Sequence, residues 1–439
     1  MQEQFYSLAD FLTGQLRADE VLLLNYGGEE SDFVRFNKSL VRQAGAVSQK
    51  AMSLELVRGK RHAVVSLGLT GSIEEDRHAS LSALERVRGM LPDVPEDPYL
   101  LYCTQVCSGQ QHGRDCLPQA TQVVEEIIRQ GSGRDLVGIY AQGGIFGGFA
   151  NSLGQRNWFS SYSFHFDWSL HHRADKAVKT TYAGFEWEGA AFEAKMTRAK
   201  SQLEVLALEP KTIPPGPYRV YLAPSALADF VRTIGWGGFG LKAHRTKGTP
   251  LLRMQAGAEF SPAVSIAENT QEGIAPNFQS AGFPKPDRVS LIARGKLDQL
   301  LVSPRSAREY GVSPNGANDG EGPESLDMVA GDIEAGDVLE RLDTGVYINA
   351  LWYLNHSDRS ACRITGMTRF ATFWVAGGKI VAPLNVMRFD ETAFRVLGEN
   401  LVGLTRQRDF IPSSSTYQGR STDSVRLPGA IVERFTFTL

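Results

Sequence analysis

The sequence predicts an α+β protein: an N-terminal α/β domain with a curved antiparallel sheet and helices, then a β-rich C-terminal domain. Three observations carry this. Residues 31–69 alternate apolar and polar side chains for almost forty positions, the two-residue period of strands with one wet face. Residues 345–389, GVYINALWYLNHSDRSACRITGMTRFATFWVAGGKIVAPLNVMRF, are rich in β-branched and aromatic side chains and read as consecutive strands. Between the two blocks lie helix-spaced segments and a linker, KTIPPGP at 211–217. At 439 residues the chain exceeds one domain of ~150 residues. The boundary is expected at the linker, giving domains 1–209 (blocks of about 1–90 and 117–209) and 217–439.

Taken in order, residues 6–16 have helical spacing, with Phe5, Leu8, Phe11, Leu12 and Leu16 on one face. Residues 20–26 read as a buried strand. The alternating run is broken at Asn37-Lys38-Ser39 and Arg58-Gly59-Lys60-Arg61, which makes it a meander. Residues 73–90 form an amphipathic helix through Leu81, Leu84 and Val87. Prolines at 92, 95 and 98 mark 91–118 as a loop, and a helix follows through Val123, Val124, Ile127 and Ile128. Residues 135–150 read as a strand carrying five glycines, a sign of bulges or close backbone approach. A turn at 151–154 leads into another strand, and 189–208 is an Ala- and Lys-rich helix.

Beyond the linker, 218–222 is a short strand. Pro224 opens a helix at its first turn, and the helix dissolves near Gly235-Trp236-Gly237-Gly238. Two strands flank Arg294-Gly295, 313–324 is a polar loop suited to a lid or to disorder, and 332–345 is acidic. In the aromatic block, Val346, Ile348, Ala350 and Trp352 alternate with Tyr347, Asn349 and Leu351. A polar turn is expected at 355–358 and a hairpin at Gly377-Gly378. Trp352, Phe370, Phe373, Trp374 and Phe389 are expected in the core. Residues 410–439 read as loop, then strand.

A net charge of −3 argues against a nucleic-acid surface. No apolar run reaches the ~18 residues of a membrane span, and the first twenty residues lack a secretory signal. A cytoplasmic location is expected, with the four cysteines as thiols.

The strand, polar turn, Thr-Gly, long strand and GG-K-I-x-x-P of the aromatic block resemble the signature of the TldD/PmbA family, modulators of DNA gyrase that include zinc peptidase subunits. DFVRFNKSLVRQ and ANSLGQRNWFSSYSFHFDWSLHH resemble that family's N-terminal units. One departure is Arg363-Ile364-Thr365-Gly366-Met367-Thr368-Arg369-Phe370, where Gly-Asp-Phe-Ser is more usual. In catalytic members the helix after the short strand carries His-Glu-x-x-x-His. The resemblance places those positions at Arg232, Thr233 and Gly237, and 225–240 contains neither histidine nor glutamate. Arginine is a permanent cation with no lone pair for a metal. The family's late cysteine ligand is also missing, since no cysteine follows Cys362. The resemblance thus implies a metal-free subunit of the TldE/PmbA type, with no catalytic residue and no cofactor of its own. Zinc is expected in a TldD-type sister chain, with unfolded or leader peptides as substrate. A second copy of this chain is the alternative partner, in a peptide-binding or scaffold dimer with no proteolytic role.

Other candidates are weighed against plainer roles. Cys103, Cys107, His112 and Cys116 offer four soft ligands in fourteen residues, but their spacing is not that of a standard zinc module, and incidental thiols on a surface loop explain them as well. His165, His171 and His172 read as surface-strand residues. Gly143-Gly144 and Gly147-Gly148 lack the Gly-Lys-Ser/Thr of a phosphate loop, and Ser413–Ser415 has no adjacent histidine. Trp352, His356, Asp358 and Arg363 are candidate peptide or partner contacts, against a solvated turn. The aromatic block is expected to be apolar on both faces. A sister subunit or a second copy is expected to cover the second face, by dimerisation through this domain; the alternative is that the N-terminal helices cover both faces within one chain.

Overall fold

In a computed structural model, which describes residues 1–173 and 176–438, the alternating run becomes a meander of β1 (Val21–Asn37), β2 (Leu40–Arg58) and β3 (Arg61–Gly68). Its turns fall where expected, with Lys38, Ser39 and Gly59 at positive φ. The separate strand at 20–26 is instead the first part of β1, because Gly27 and Gly28 stay in register with Ala51 and Lys50. Helices α1 (Gln2–Thr13) and α2 (Ile73–Met90) press Phe5, Leu8, Leu12, Leu84 and Val87 onto Leu22, Leu24, Leu54 and Leu56 of this sheet. Helix α1 begins earlier than the spacing suggests.

The sheet continues with β4 (Gly109–His112), β5 (Asp135–Asn151), β6 (Arg156–Arg173) and β7 (Lys176–Gly184), alongside α3 (Ala120–Gly131) and α4 (Gly189–Leu206). Its order is β3-β2-β1-β5-β6-β4, with β7 also on β6. The segment 91–118 is therefore not all loop, since β4 pairs parallel with β6. Gly143 shows why β5 is glycine-rich. Its φ is +141°, and a Cβ there would collide with the Glu30 carbonyl on β1. His165 is not a surface residue. It is buried in β6, its Nε2 has no hydrogen-bond partner among the described residues, and burial pushes its pKa down to about 4.

After the linker come β8 (Gly216–Leu222), α5 (Pro224–Gly235), α6 (Leu241–Arg245), α7 (Leu252–Gln255), β9 (Ile266–Glu268), β10 (Val289–Ala293), β11 (Lys296–Leu297), α8 (Pro304–Tyr310), β12 (Ser325–Met328) and α9 (Val338–Leu342). The aromatic block supplies β13 (Gly345–Asp358), β14 (Arg363–Ala376), β15 (Lys379–Pro383) and β16 (Arg388–Thr392). Strands β17 (Leu401–Pro412) and β18 (Ser424–Phe437) end the chain. The second sheet runs β11-β10-β9-β12-β18-β16-β14-β13-β8, and β8 also pairs with β18, so five strands close a circuit.

Helix α5 lies against one face of that circuit, where Phe230, Val231 and Ile234 share a core with Val346, Ile348, Phe389 and Val432. On the other face Tyr221, Tyr347, Phe373 and Ile431 share a core with Phe192, Met196 and Leu203 of α4. The strands are apolar on both faces, as expected, and this second face is covered within the chain rather than by a partner.

Three local expectations fail for physical reasons. Residues 355–358 are not a turn: Asn355, His356 and Asp358 pair with β14, and the reversal comes at 359–362. They are polar because this end of the hairpin meets solvent. Alternation in β13 is interrupted by register shifts at Ile348/Ala350 and Trp352/Asn355. Leu351 therefore turns into the core, and Trp352 is left 45% exposed. The loop 313–324 is pinned by buried Glu321, which accepts from the Lys242 and Ser303 amides at 2.7 and 3.0 Å. Among the described residues no helix is long and apolar enough to cross a membrane.

Candidate functional site

Helix α5 has Pro224 in its first turn and buries Leu227, Phe230, Val231 and Ile234. Ser225, Asp229 and Arg232 lie at i, i+4 and i+7, one stripe of the helix. That stripe faces a cavity of about 150 Å³. Asp167 of β6 and Lys179 of β7 close it from the N-terminal sheet, and Trp352 and Phe370 of the β13–β14 hairpin form its aromatic side.

Arg232 donates one hydrogen bond, from Nη2 to the Ile411 carbonyl at 2.9 Å. Among the described residues its side chain makes no other hydrogen bond and no ion pair. Burial lowers its pKa. Burial also pushes the Asp229 carboxyl up to about 6, although Arg232 and Lys179 pull the other way. Lys179 lies 3.4 Å from Asp167, whose Oδ1 is buried without a hydrogen-bond partner among the described residues. Two acids and two cations thus face one small space with few bonds among them.

The three positions of the expected metal motif do not fit a zinc ion. Arg232 has no lone pair to offer. The Thr233 hydroxyl is buried and donates to the Asp229 carbonyl at 2.9 Å, inside its own helix. Gly237, at φ +78°, helps to end the helix, and a Cβ there would lie 2.7 Å from the Arg359 guanidinium.

The cysteine loop does not assemble into a metal site either. The Cys103 thiol is buried and bonds the Gln105 carbonyl at 3.1 Å. Residues 109–112 are stretched out on β6, His112 Nε2 lies 3.2 Å from Gln110 Oε1, and Cys116 bridges to Glu186. Cys103 and Cys107 remain neighbours, but among the described residues no three His, Cys, Asp or Glu side chains converge to hold a metal.

Of the four candidate contact residues, only Trp352 belongs to the cavity. The Arg369 guanidinium stacks over its ring at 4.0 Å and over the Phe370 ring at 4.9 Å. His356 ties the hairpin to α5, its Nε2 3.1 Å from the Thr233 carbonyl, and burial lowers its pKa. Asp358 accepts from the Ser360 hydroxyl and the Ala361 amide and so shapes the reversal. Arg363 lies 3.9 Å from Asp390 on the neighbouring strand. The residues that sequence reasoning missed are Asp167, Lys179 and Asp229. The Ser225, Asp229, Arg232 stripe on an otherwise apolar helix was a signal for part of the site. Nothing in the sequence placed β6 and β7 opposite it.

A helix packed against a closed strand circuit, with an N-terminal sheet roofing its polar stripe, defines an α+β protein with a small charged cavity between its two sheets. The C-terminal domain of the PmbA/TldA metallopeptidases matches residues 215–439, and the chain belongs to that family. Three solved structures share the fold. TldE from Thermococcus kodakarensis has a TM-score of 0.79 at 13% identity, over 99% of this chain and 100% of its own. A protein named as a modulator of DNA gyrase from Thermotoga maritima has 0.74 at 14%, over 99% of each chain. Another so named, from Bacteroides thetaiotaomicron, has 0.76 at 14%, over 99% and 98%. No curated protein sequence matches.

Proposed function

We propose that this chain is the non-catalytic, cytoplasmic subunit of a TldD/TldE-type peptidase. It holds no zinc, and it pairs with a zinc-bearing TldD-type sister that cleaves unfolded or leader peptides. The observation that carries this is the trio Arg232, Thr233 and Gly237 on the helix where the family's catalytic members bear their metal ligands. A metal site needs deprotonated donors in place, and the three motif positions on and just after α5 supply none. The likeness to a solved TldE over its full length adds support at the level of fold.

Two measurements test the reading. Metal analysis of protein purified without chelator should find no stoichiometric zinc, and one zinc per chain would overturn the assignment. The chain alone should leave peptides uncleaved, and it should raise the activity of its sister on mixing. A sister equally active with and without it, at concentrations where the two bind, would leave a scaffold formed by two copies of this chain as the better account.

A further inference from the structure

From the cavity between α5 and the N-terminal sheet, we infer that this chain binds a small α-amino acid as its zwitterion, with the carboxylate on Arg232 and the ammonium on Asp229. The inference rests on the site being metal-free, and the two fail separately. Bound zinc would sink the functional reading, whereas metal-free protein that ignores amino acids would sink this one.

The charges select the ligand class. Arg232 spends one donor on the Ile411 carbonyl, and the rest of its planar fork has no partner among the described residues. A lone anion would meet that fork but also Asp229 and Asp167, both of which line the cavity. A lone cation would meet Arg232 and Lys179. A molecule carrying both charges satisfies both sets. Asp229 and Arg232 stand three residues apart on one helix face, where neighbouring Cβ atoms lie about 5–6 Å from each other. Acceptor and donors are thus side by side, as an α-amino acid carries its two charged groups on one carbon. The unpartnered Asp167 Oδ1 supplies a second buried acceptor at the same cavity.

Size and shape narrow the class. A space of about 150 Å³ matches engineered cavities that admit a benzene-sized guest, so the ligand has about six to eight heavy atoms. Alanine, serine and valine fit, and a tripeptide does not. Trp352 and Phe370 give the ligand side chain an apolar wall. Phe370, which lines the cavity, sits at φ 59° in one of the three register breaks of the hairpin, and Tyr353 sits at φ 59° in another. Backbone held in that region by bulky residues is found at ligand clamps. Amino acids of this size are what hydrolysis of peptides liberates.

The test uses the full-length chain, stripped of metal, with calorimetry or ligand-observed NMR. L-alanine and L-valine should bind. N-acetylalanine lacks the ammonium and alaninamide lacks the carboxylate, and each should bind at least about tenfold more weakly, the loss of one charged hydrogen-bonding partner. Arg232→Met and Asp229→Asn should each abolish binding while the melting transition stays cooperative. If either variant fails to fold, the capped ligands on the unaltered chain still decide. No binding of alanine or valine up to about 10 mM, well above the range of an ordinary weak site, would overturn the inference. So would equal binding of the capped and free forms.

Discussion

Arg232 and Arg420 are both withdrawn from solvent and both come from the C-terminal half, but they are held in opposite ways. Arg420 rides on the segment 413–423, which leaves β17, crosses to the N-terminal sheet and returns as β18. Its Nη2 donates to the Ser163 carbonyl and hydroxyl at 2.9 and 2.7 Å, and its Nη1 to the Gly143 carbonyl at 3.1 Å. Its backbone amide bonds Glu29 Oε2 at 3.1 Å. Arg232 has one carbonyl and a cavity. Burial depresses both guanidinium groups, Arg420 to about 10. The difference lies in what meets the charge. A buried cation surrounded by protein acceptors is a tether, and one that faces open space beside carboxylates is equipped to receive a ligand.

The largest effect expected from this contrast is at the tether. Arg420→Met removes the charge and strands acceptors at Gly143 and Ser163, so unfolding by denaturant should show a loss of about 2–4 kcal/mol. Proteolysis should also become faster within 413–423. A loss under about 1 kcal/mol would mean that the segment is held by its other contacts, such as Gln49 Nε2 to the Gln418 carbonyl, and that the two arginines are less different than their bonding suggests.

A smaller effect is expected at Asp229, through pH. The charged groups facing it are Arg232 on its own helix and Lys179 and Asp167 from the sheet above. Its pKa of about 6 lies above the ordinary 3.8. Below pH 4 the folded and unfolded chains both hold the proton and nothing is lost. Between 4 and 6 only the folded chain holds it, so stability falls as pH rises, and above 6 the loss is complete. Asp229→Asn removes that loss. Relative to the unaltered chain it should be more stable at pH 7.5 than at pH 4 by about 1–2 kcal/mol, since one pKa unit is ~1.4 kcal/mol and the site is partly solvated. A gap that does not change with pH would show Asp229 to be in ordinary contact with water.

The two regions also differ in how far the sequence reveals them. The meander, α2 and the β14–β15 hairpin follow from period and turn residues, both local signals, whereas the β13–β14 reversal comes at 359–362, after the polar run expected to form it. Burial along β13 does not follow from them either, because two register shifts move Leu351 inward and Trp352 outward without changing composition. Strand β7 was not foreseen, since KAVKTTYAG alternates with polar Lys and Thr and owes its place to the long β6 beside it. The candidate site was half visible. Arg232 was found because the family resemblance pointed to its position. Lys179 and Asp167 join it only through packing of the N-terminal sheet against α5, and no local pattern encodes that. His165 was misplaced for the same reason, since its strand is buried on both sides.

The smallest stability change is expected at Arg232, and this expectation separates the two arginines most sharply. Methionine keeps much of the side-chain volume and leaves the Ile411 carbonyl without one donor, a cost of about 0.5–1.5 kcal/mol. Against this, it removes a buried cation with no ion-pair partner among the described residues, and uncompensated burial of charge is itself unfavourable. The two terms are similar in size and opposite in sign. Arg232→Met should therefore unfold within about 1 kcal/mol of the unaltered chain, against the larger loss for Arg420→Met. The substitution has a second readout that a merely structural arginine would not give. Arg232 is the strongest of the groups that hold the Asp229 carboxyl down against burial. Without it the Asp229 titration should move above 6, visible as a shift in the pH midpoint of stability or in the carboxyl NMR signal. A stability loss as large as that of Arg420→Met, with no shift at Asp229, would make Arg232 a second tether and return the cavity to ordinary packing.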